Sequence, residues 1–132
     1  MAIYFDAVPR KNPQTKEVKF YPRIAPPLKH LNREEFIQKI VSESTITRHD
    51  LLAVISALEQ HIVECLRNGT GLKLGDLGSF RLGYRTVGQE TKDAVTTEDV
   101  RSLRVVFTPS TKMKWGVNKK NPLVQLYMKK ED

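Results

Sequence analysis

The stretch Gly69-Thr70-Gly71-Leu72-Lys73-Leu74-Gly75-Asp76-Leu77-Gly78-Ser79-Phe80-Arg81-Leu82-Gly83-Tyr84-Arg85 is where the hydrophobic period of the chain changes. Before Gly69, apolar residues recur at helical spacing; after it they alternate with polar ones, the two-residue period of a strand. Phe80, Leu82 and Tyr84 fall on one strand face, and Arg81 and Arg85 on the other. A return strand mirrors this pattern, with Leu103, Val105 and Phe107 alternating with Arg104 and Val106. The glycines of Gly75-Asp76-Leu77-Gly78 suit a bend between strands. Thr108-Pro109 stops the return strand, and Ser110 is placed to cap a short helix through Met113 and Trp115. Residues 86–102, between the two long strands, are polar and long for a turn, and read as a projecting β-arm or loop.

Upstream lie two helices with well-marked starts. Asn32 is an N-cap with Glu35 at its N3 position and a Leu31–Phe36 staple; Thr47 repeats the arrangement with Asp50, Ile46 and Leu51. The first helix places Phe36, Ile37, Ile40 and Val41 toward a core and ends near Ser42-Glu43-Ser44. The second runs to about Arg67, where Asn68-Gly69 supplies a stop. Its apolar residues, from Leu51 and Leu52 through Val54, Ile55, Leu58, Ile62, Val63, Cys65 and Leu66, make a surface wider than one packing stripe. A partner subunit is the simplest cover for the remainder, so a homodimer is expected.

At the N-terminal side, residues 3–8 and 18–24 alternate as a hairpin, with Val18, Phe20 and Ile24 opposite Lys19, Tyr21 and Arg23. Its tip is Arg10-Lys11-Asn12-Pro13-Gln14-Thr15-Lys16, and Pro22, Pro26 and Pro27 end the second strand in an extended linker. Asn121-Pro122 sets off a last strand-like run, Leu123 to Met128.

Length and composition limit what this chain does. Its 132 residues, 39% hydrophobic, suit one domain with an appendage. No run reaches the roughly 18 apolar residues of a membrane span. The opening Met1-Ala2-Ile3-Tyr4-Phe5, interrupted by Asp6 and Pro9, does not read as a secretory signal, so a cytoplasmic protein is expected. The lone Cys65 sits on the apolar side of a helix and reads as a small buried hydrophobe. The net charge of +7 is segregated: residues 1–30 carry six Lys/Arg against two acids, 31–84 six against seven, 85–107 four against four, and 108–132 six against two. Basic ends around a slightly acidic helical core favour a polyanionic partner.

Catalysis finds no support. His30, His49 and His61 lack metal-ligand spacing, and Gly75-Asp76-Leu77-Gly78 lacks the Gly-Lys-Ser/Thr of a phosphate-binding loop. No nucleophile, base and orienting acid share a spacing, so no enzyme, cofactor, metal or small-molecule substrate is expected. A winged helix-turn-helix fits the element order, but Arg48 and Arg67 on the second helix are offset by Asp50, Glu59 and Glu64, which disfavours a recognition helix.

The order helix, helix, β-hairpin with arm, short helix, together with Gly78-Ser79-Phe80 and Phe107-Thr108-Pro109 followed by Met113-Lys114, resembles the bacterial histone-like HU/IHF family over residues 31–117. With its added N-terminal hairpin and C-terminal strand, the chain is similar to the variant HU-like group of Bacteroidetes-type bacteria. The resemblance implies an α+β fold: two N-terminal helices, a β-sheet with projecting arm and a short C-terminal helix, in an intertwined homodimer. It also implies arms that embrace double-stranded DNA with little sequence preference, as nucleoid-associated architectural proteins do. The chain then divides into residues 1–28 (hairpin and linker), 29–117 (HU/IHF-like domain) and 118–132 (strand and basic tail).

The residues expected on DNA are Arg81, Arg85 and Arg104 on the unpacked sheet face, and Lys112 and Lys114 at the short helix. Lys92 and Arg101 are the only cations of the arm. There they stand with Glu90, Asp93, Glu98 and Asp99, so the arm is net negative, and it lacks the tip proline with which family arms wedge between base pairs. A family-like tip, Lys11-Asn12-Pro13-Gln14-Thr15, occurs instead on the N-terminal hairpin, which adds Lys11, Pro13 and Lys16 either as a plain turn or as a relocated wedge. The alternative function is an HU-like structural or protein-interaction dimer with weak or lost DNA binding.

Overall fold

Strand alternation at the N-terminal side produces the hairpin it predicts: β1 (Ile3–Lys11) pairs antiparallel with β2 (Val18–Ile24), with Asp6 opposite Arg23 and Pro9 opposite Phe20. At the turn, the Asn12 side chain accepts from the Gln14 amide at 2.9 Å, and the Asn12 carbonyl accepts from the Lys16 amide at 2.8 Å. The computed structural model describes residues 2–25 and 30–129; the expected linker at Pro26 and Pro27 lies outside the described residues.

Helix α1 (Arg33–Ser42) and helix α2 (Arg48–Arg67) follow. The expected cap is present on α2, where the Thr47 hydroxyl accepts from the Asp50 amide at 3.2 Å. At its far end Gly69 adopts φ +74°, a left-handed conformation that favours glycine. An ion pair between Arg48 and Glu34 ties the start of α2 to α1. Strand β3 (Leu72–Lys73) pairs with β4 (Gly78–Thr86), which pairs with β5 (Val100–Pro109), all antiparallel. Helix α3 (Thr111–Gly116) is capped by Ser110, whose hydroxyl accepts from the Met113 amide at 3.0 Å and donates to the Asp76 carbonyl. Strand β6 (Leu126–Met128) then runs parallel to β1, giving a second sheet in the order β2-β1-β6.

The chain divides into two units, Met1–Arg33 with Trp115–Asp132, and Glu34–Lys114. In the second, Ile37, Leu51 and Leu66 are the buried apolar residues, and Phe80 and Phe107 rings meet at 4.9 Å between centroids. Phe36, placed by the pattern toward the core, is instead 52% exposed, and Val54, Leu58 and Val63 of α2 are exposed to similar degrees. This apolar surface stays open in a single copy.

Of the projecting β-arm or loop expected between β4 and β5, the structure shows the loop. The strand ladder ends at the Thr86–Val100 pair, and residues 87–99 fold into two 3₁₀ turns, Lys92–Ala94 and Thr97–Asp99. Asp99 is the reason. Its carboxylate, 7% exposed, accepts from the Gln89 side chain at 2.8 Å and the Thr96 amide at 2.9 Å, and its carbonyl accepts from the Val87 amide at 2.9 Å. These bonds close the loop on itself.

Candidate nucleic-acid interface

Directly opposed residues of an antiparallel pair point to the same face, so register decides which side chains share a surface. Phe80 with Phe107, Leu82 with Val105 and Tyr84 with Leu103 make one face of the β3-β4-β5 sheet. Leu82, Leu103 and Val105 line a cavity of about 380 Å³ with Val63 and Leu66 of α2. The other face carries Arg81 opposite Val106, Arg104 opposite Gly83 and Arg85 opposite Ser102, so the three arginines expected together do lie together. Arg81 and Arg85 are four residues apart, roughly 13 Å, and Arg104 sits between them on the neighbouring strand, roughly 8 Å from each.

Register adds residues that the strand pattern alone does not reach. Lys73 stands opposite Ser79, on the arginine face, and is exposed. Ser79, Thr108 and Ser102 share that face and offer hydroxyls. None of the three strands contains an acid. The face is therefore a cluster of four cations and several small polar side chains, suited to hydrogen-bond phosphate oxygens. Among the described residues, the Arg81 and Arg85 side chains have no hydrogen-bond or ion-pair partner. Arg104 reaches the Tyr84 carbonyl at 3.5 Å.

Gly83 makes room for this arrangement. A Cβ built on it stands 2.9 Å from Nε and 3.0 Å from Cγ of Arg104, and 2.7 Å from Cγ2 of Val106. The side chain of Arg104 thus lies across β4 at Gly83, which has no side chain to obstruct it.

The remaining expected residues are more dispersed. Arg101 is the extra residue of a bulge, since β4 steps from Arg85 to Thr86 while β5 steps from Ser102 to Val100. Lys92 begins the first 3₁₀ turn of the closed loop and is exposed. Asp99, one of the four loop acids, is spent on the loop's own hydrogen bonds. The Thr96 backbone, then the Gln89 side chain, hold its carboxyl below the ordinary carboxylate value. Lys112 pairs with Asp76 at 3.6 Å, both highly exposed, while Lys114 follows on α3.

Lys11, Pro13 and Lys16 belong to the other unit and sit exposed around the hairpin turn, with Lys16 at φ +60°. In the same hairpin the Arg23 guanidinium grips Asp6 with two bonds, of 3.2 and 3.0 Å, and holds that carboxyl below its ordinary value. The charge division follows the units closely. Met1–Arg33 with Trp115–Asp132 holds eleven Lys/Arg against four acids, and Glu34–Lys114 eleven against eleven. The whole net +7 therefore belongs to the first unit, while the second is neutral overall but locally basic on one sheet face.

Among the described residues no group of three or more His, Cys, Asp or Glu is arranged to hold a metal ion, and no helix is long and apolar enough to cross a membrane.

Residues 1–123 match the family model described as an HU domain fused to a wHTH, Ig or glycine-rich motif. Among solved structures, the chain is similar to a protein from Bacteroides vulgatus described as a bacterial DNA-binding protein, at TM-score 0.64 and 15% identity. That likeness covers 100% of this chain and 51% of the Bacteroides protein, so the chain spans about half its length. It is also similar to an HU variant from Thermotoga maritima, at TM-score 0.50 and 17% identity, over 67% of this chain and 100% of that one. No curated protein sequence matches.

Proposed function

The chain belongs to the family of HU domains fused to a wHTH, Ig or glycine-rich motif, and we propose that it is a non-enzymatic, architectural DNA-binding protein holding duplex DNA by its phosphates. The observation that carries this reading is the acid-free sheet face on which register gathers Lys73, Arg81, Arg85 and Arg104. Phosphate contacts position a protein without reading sequence, and this face offers cations and hydroxyls rather than a helix inserted in a groove. Low sequence specificity follows. Lys112 and Lys114 extend the contact, and Lys11, Pro13 and Lys16 supply a second, hairpin-borne one. Lys92, from the loop that closes on itself, and Arg101, from the bulge in β5, contribute at the margin. The likeness to the Bacteroides vulgatus protein supports a DNA partner through its description.

The working form is a homodimer. The chain exposes 11829 Å², whereas even two separate globules of the sizes of its units would expose roughly 8,500 Å². The surplus, roughly 3,300 Å² per chain, is enough to supply an obligate dimer interface, which buries roughly 2,000–5,000 Å² or more over both partners. It is apolar where the second unit shows Phe36, Val54, Leu58, Val63, Leu103 and Val105 to solvent. In this scheme residues 29–117 form the DNA-binding domain, flanked by the hairpin and linker (1–28) and the strand and basic tail (118–132), and the protein works at the nucleoid in the cytoplasm.

The overall neutrality of the Glu34–Lys114 unit favours a second reading, an HU-like protein-interaction dimer with little affinity for DNA. Titration of a duplex at low salt separates the two: binding that weakens steeply with salt supports the first, and no binding overturns it in favour of the second.

A further inference from the structure

The β2-β1-β6 sheet presents two unlike faces. Phe5 opposite Ile24, Pro9 opposite Phe20, and Ile3 beside Leu126 make one of them apolar. The other carries Tyr4 beside Tyr127, Asp6 opposite Arg23, Tyr21 opposite Val8, and Arg10 opposite Lys19. Tyr4, Tyr21 and Tyr127 are 54%, 44% and 50% exposed. Among the described residues, no helix of the unit covers these rings.

Three features of this second face belong together. The Tyr4 and Tyr127 rings stand 6.1 Å apart at an angle of 38°, at the wall of a cleft of about 490 Å³ that Met128 and Lys129 complete. That volume is ordinary for a small-ligand site. Four residues along β1 and one strand over, roughly 14 Å away, the Arg10 guanidinium lies 5.9 Å from the centre of the Tyr21 ring, a cation–π arrangement. Between the two aromatic stations the one acid among the described residues, Asp6, is neutralised by its two-bond grip on Arg23. This unit also carries the entire net charge of the chain.

We infer that the Tyr4, Tyr21 and Tyr127 face binds single-stranded nucleic acid, with unpaired bases stacked on the rings and the backbone drawn by Arg10, Lys19 and Lys129. Aromatic rings exposed on a sheet and interleaved with cations match the two needs of such a ligand: a flat π-surface for each base and positive charge for the phosphates. Duplex DNA hides its base faces and gains nothing from the tyrosines. A membrane surface calls for an apolar wedge beneath the cations, and on this sheet, Val8 apart, the aliphatic strand residues occupy the opposite face.

The test uses the full chain and a labelled oligothymidylate of about twenty nucleotides, read by fluorescence anisotropy at low salt. Replacing Tyr4, Tyr21 or Tyr127 by alanine is expected to weaken binding roughly 5- to 100-fold each, with phenylalanine at the same positions restoring it. Arg81→Glu with Arg104→Glu, which removes the proposed duplex contact, is expected to leave oligothymidylate binding in place, so loss of duplex binding alone does not touch this inference. In the unmodified chain, the ring protons of Tyr4 and Tyr127 should shift upfield on addition of the oligonucleotide, a readout that needs no variant to fold. Unmoved ring protons, alanine variants that bind as well as the parent, or adsorption to phosphatidylserine vesicles in place of oligothymidylate would each overturn it.

Discussion

The side chain of Arg104 lies across Gly83, so that a methyl group at residue 83 would meet Nε of Arg104 at 2.9 Å and Cγ2 of Val106 at 2.7 Å. One glycine therefore sets where the middle cation of the basic face rests. Gly83→Ala is expected to lift Arg104 off the strand, weaken duplex binding several-fold and cost about 1–3 kcal/mol through overpacking. Duplex titration and urea melts of the same variant measure the two effects, and Arg104→Ala in the Gly83→Ala background should relieve part of the stability cost.

Gly78 is held more severely. It adopts φ +145°, and an added Cβ would stand 2.4 Å from the Thr108 carbonyl and 2.8 Å from the Phe107 ring. Gly78→Ala is expected to cost about 3 kcal/mol or more, because the Thr108 backbone and the Phe107 ring must both move. Chemical denaturation should show the cost, and the NMR cross-relaxation between the Phe80 and Phe107 rings, which face each other in the parent, should weaken in the variant.

Loop closure by Asp99 depends on pH with a definite sign. Hydrogen bonds from the Thr96 backbone and the Gln89 side chain lower its carboxyl below the ordinary 3.8, so the ionised form is the one that the fold prefers. Its contribution is present in full above that value and is lost as pH falls through the lowered one. Protection of the Val87 and Thr96 amides, taken relative to their intrinsic exchange rate at each pH, should therefore fall in acid. Asp99→Asn, which keeps the shape but not the charge, should show faster exchange already at neutral pH.

Much of this architecture is legible in the residues. The two-residue period after Gly69 places Arg81, Arg85 and Arg104 on one face, and Thr47 with Asp50 marks the start of α2. What escaped has physical causes. Lys73 lies on a two-residue strand, too short to show a period, and only its register with Ser79 assigns it to the basic face. The closed loop depends on Asp99 meeting Gln89, a contact that composition cannot convey; counted as one more negative charge, Asp99 suggests an acidic arm, whereas the fold uses it as a latch. The pairing of Leu126, Tyr127 and Met128 with Ile3, Tyr4 and Phe5 joins the two ends of the chain. Until that is seen, the basic ends look like two separate segments.

If a second copy covers the exposed side of α2 and the apolar face of the β3-β4-β5 sheet, folding and association are one process. The melting temperature should then rise with protein concentration, and sedimentation should give twice the chain mass. Leu103→Asp, at a 62% exposed position, should abolish both behaviours, although Leu103 stands outside the buried core of a single copy.

The most direct test of the central claim is the salt dependence of duplex binding by the parent chain and by the Arg81→Glu, Arg104→Glu variant. Phosphate contact predicts that log K falls linearly with log salt, by about 0.9 for each phosphate neutralised. The variant should bind more weakly on every duplex sequence and with a shallower slope, by roughly two phosphate contacts per protomer. No binding by the parent at low salt, or a variant with the same affinity and slope, would contradict the account.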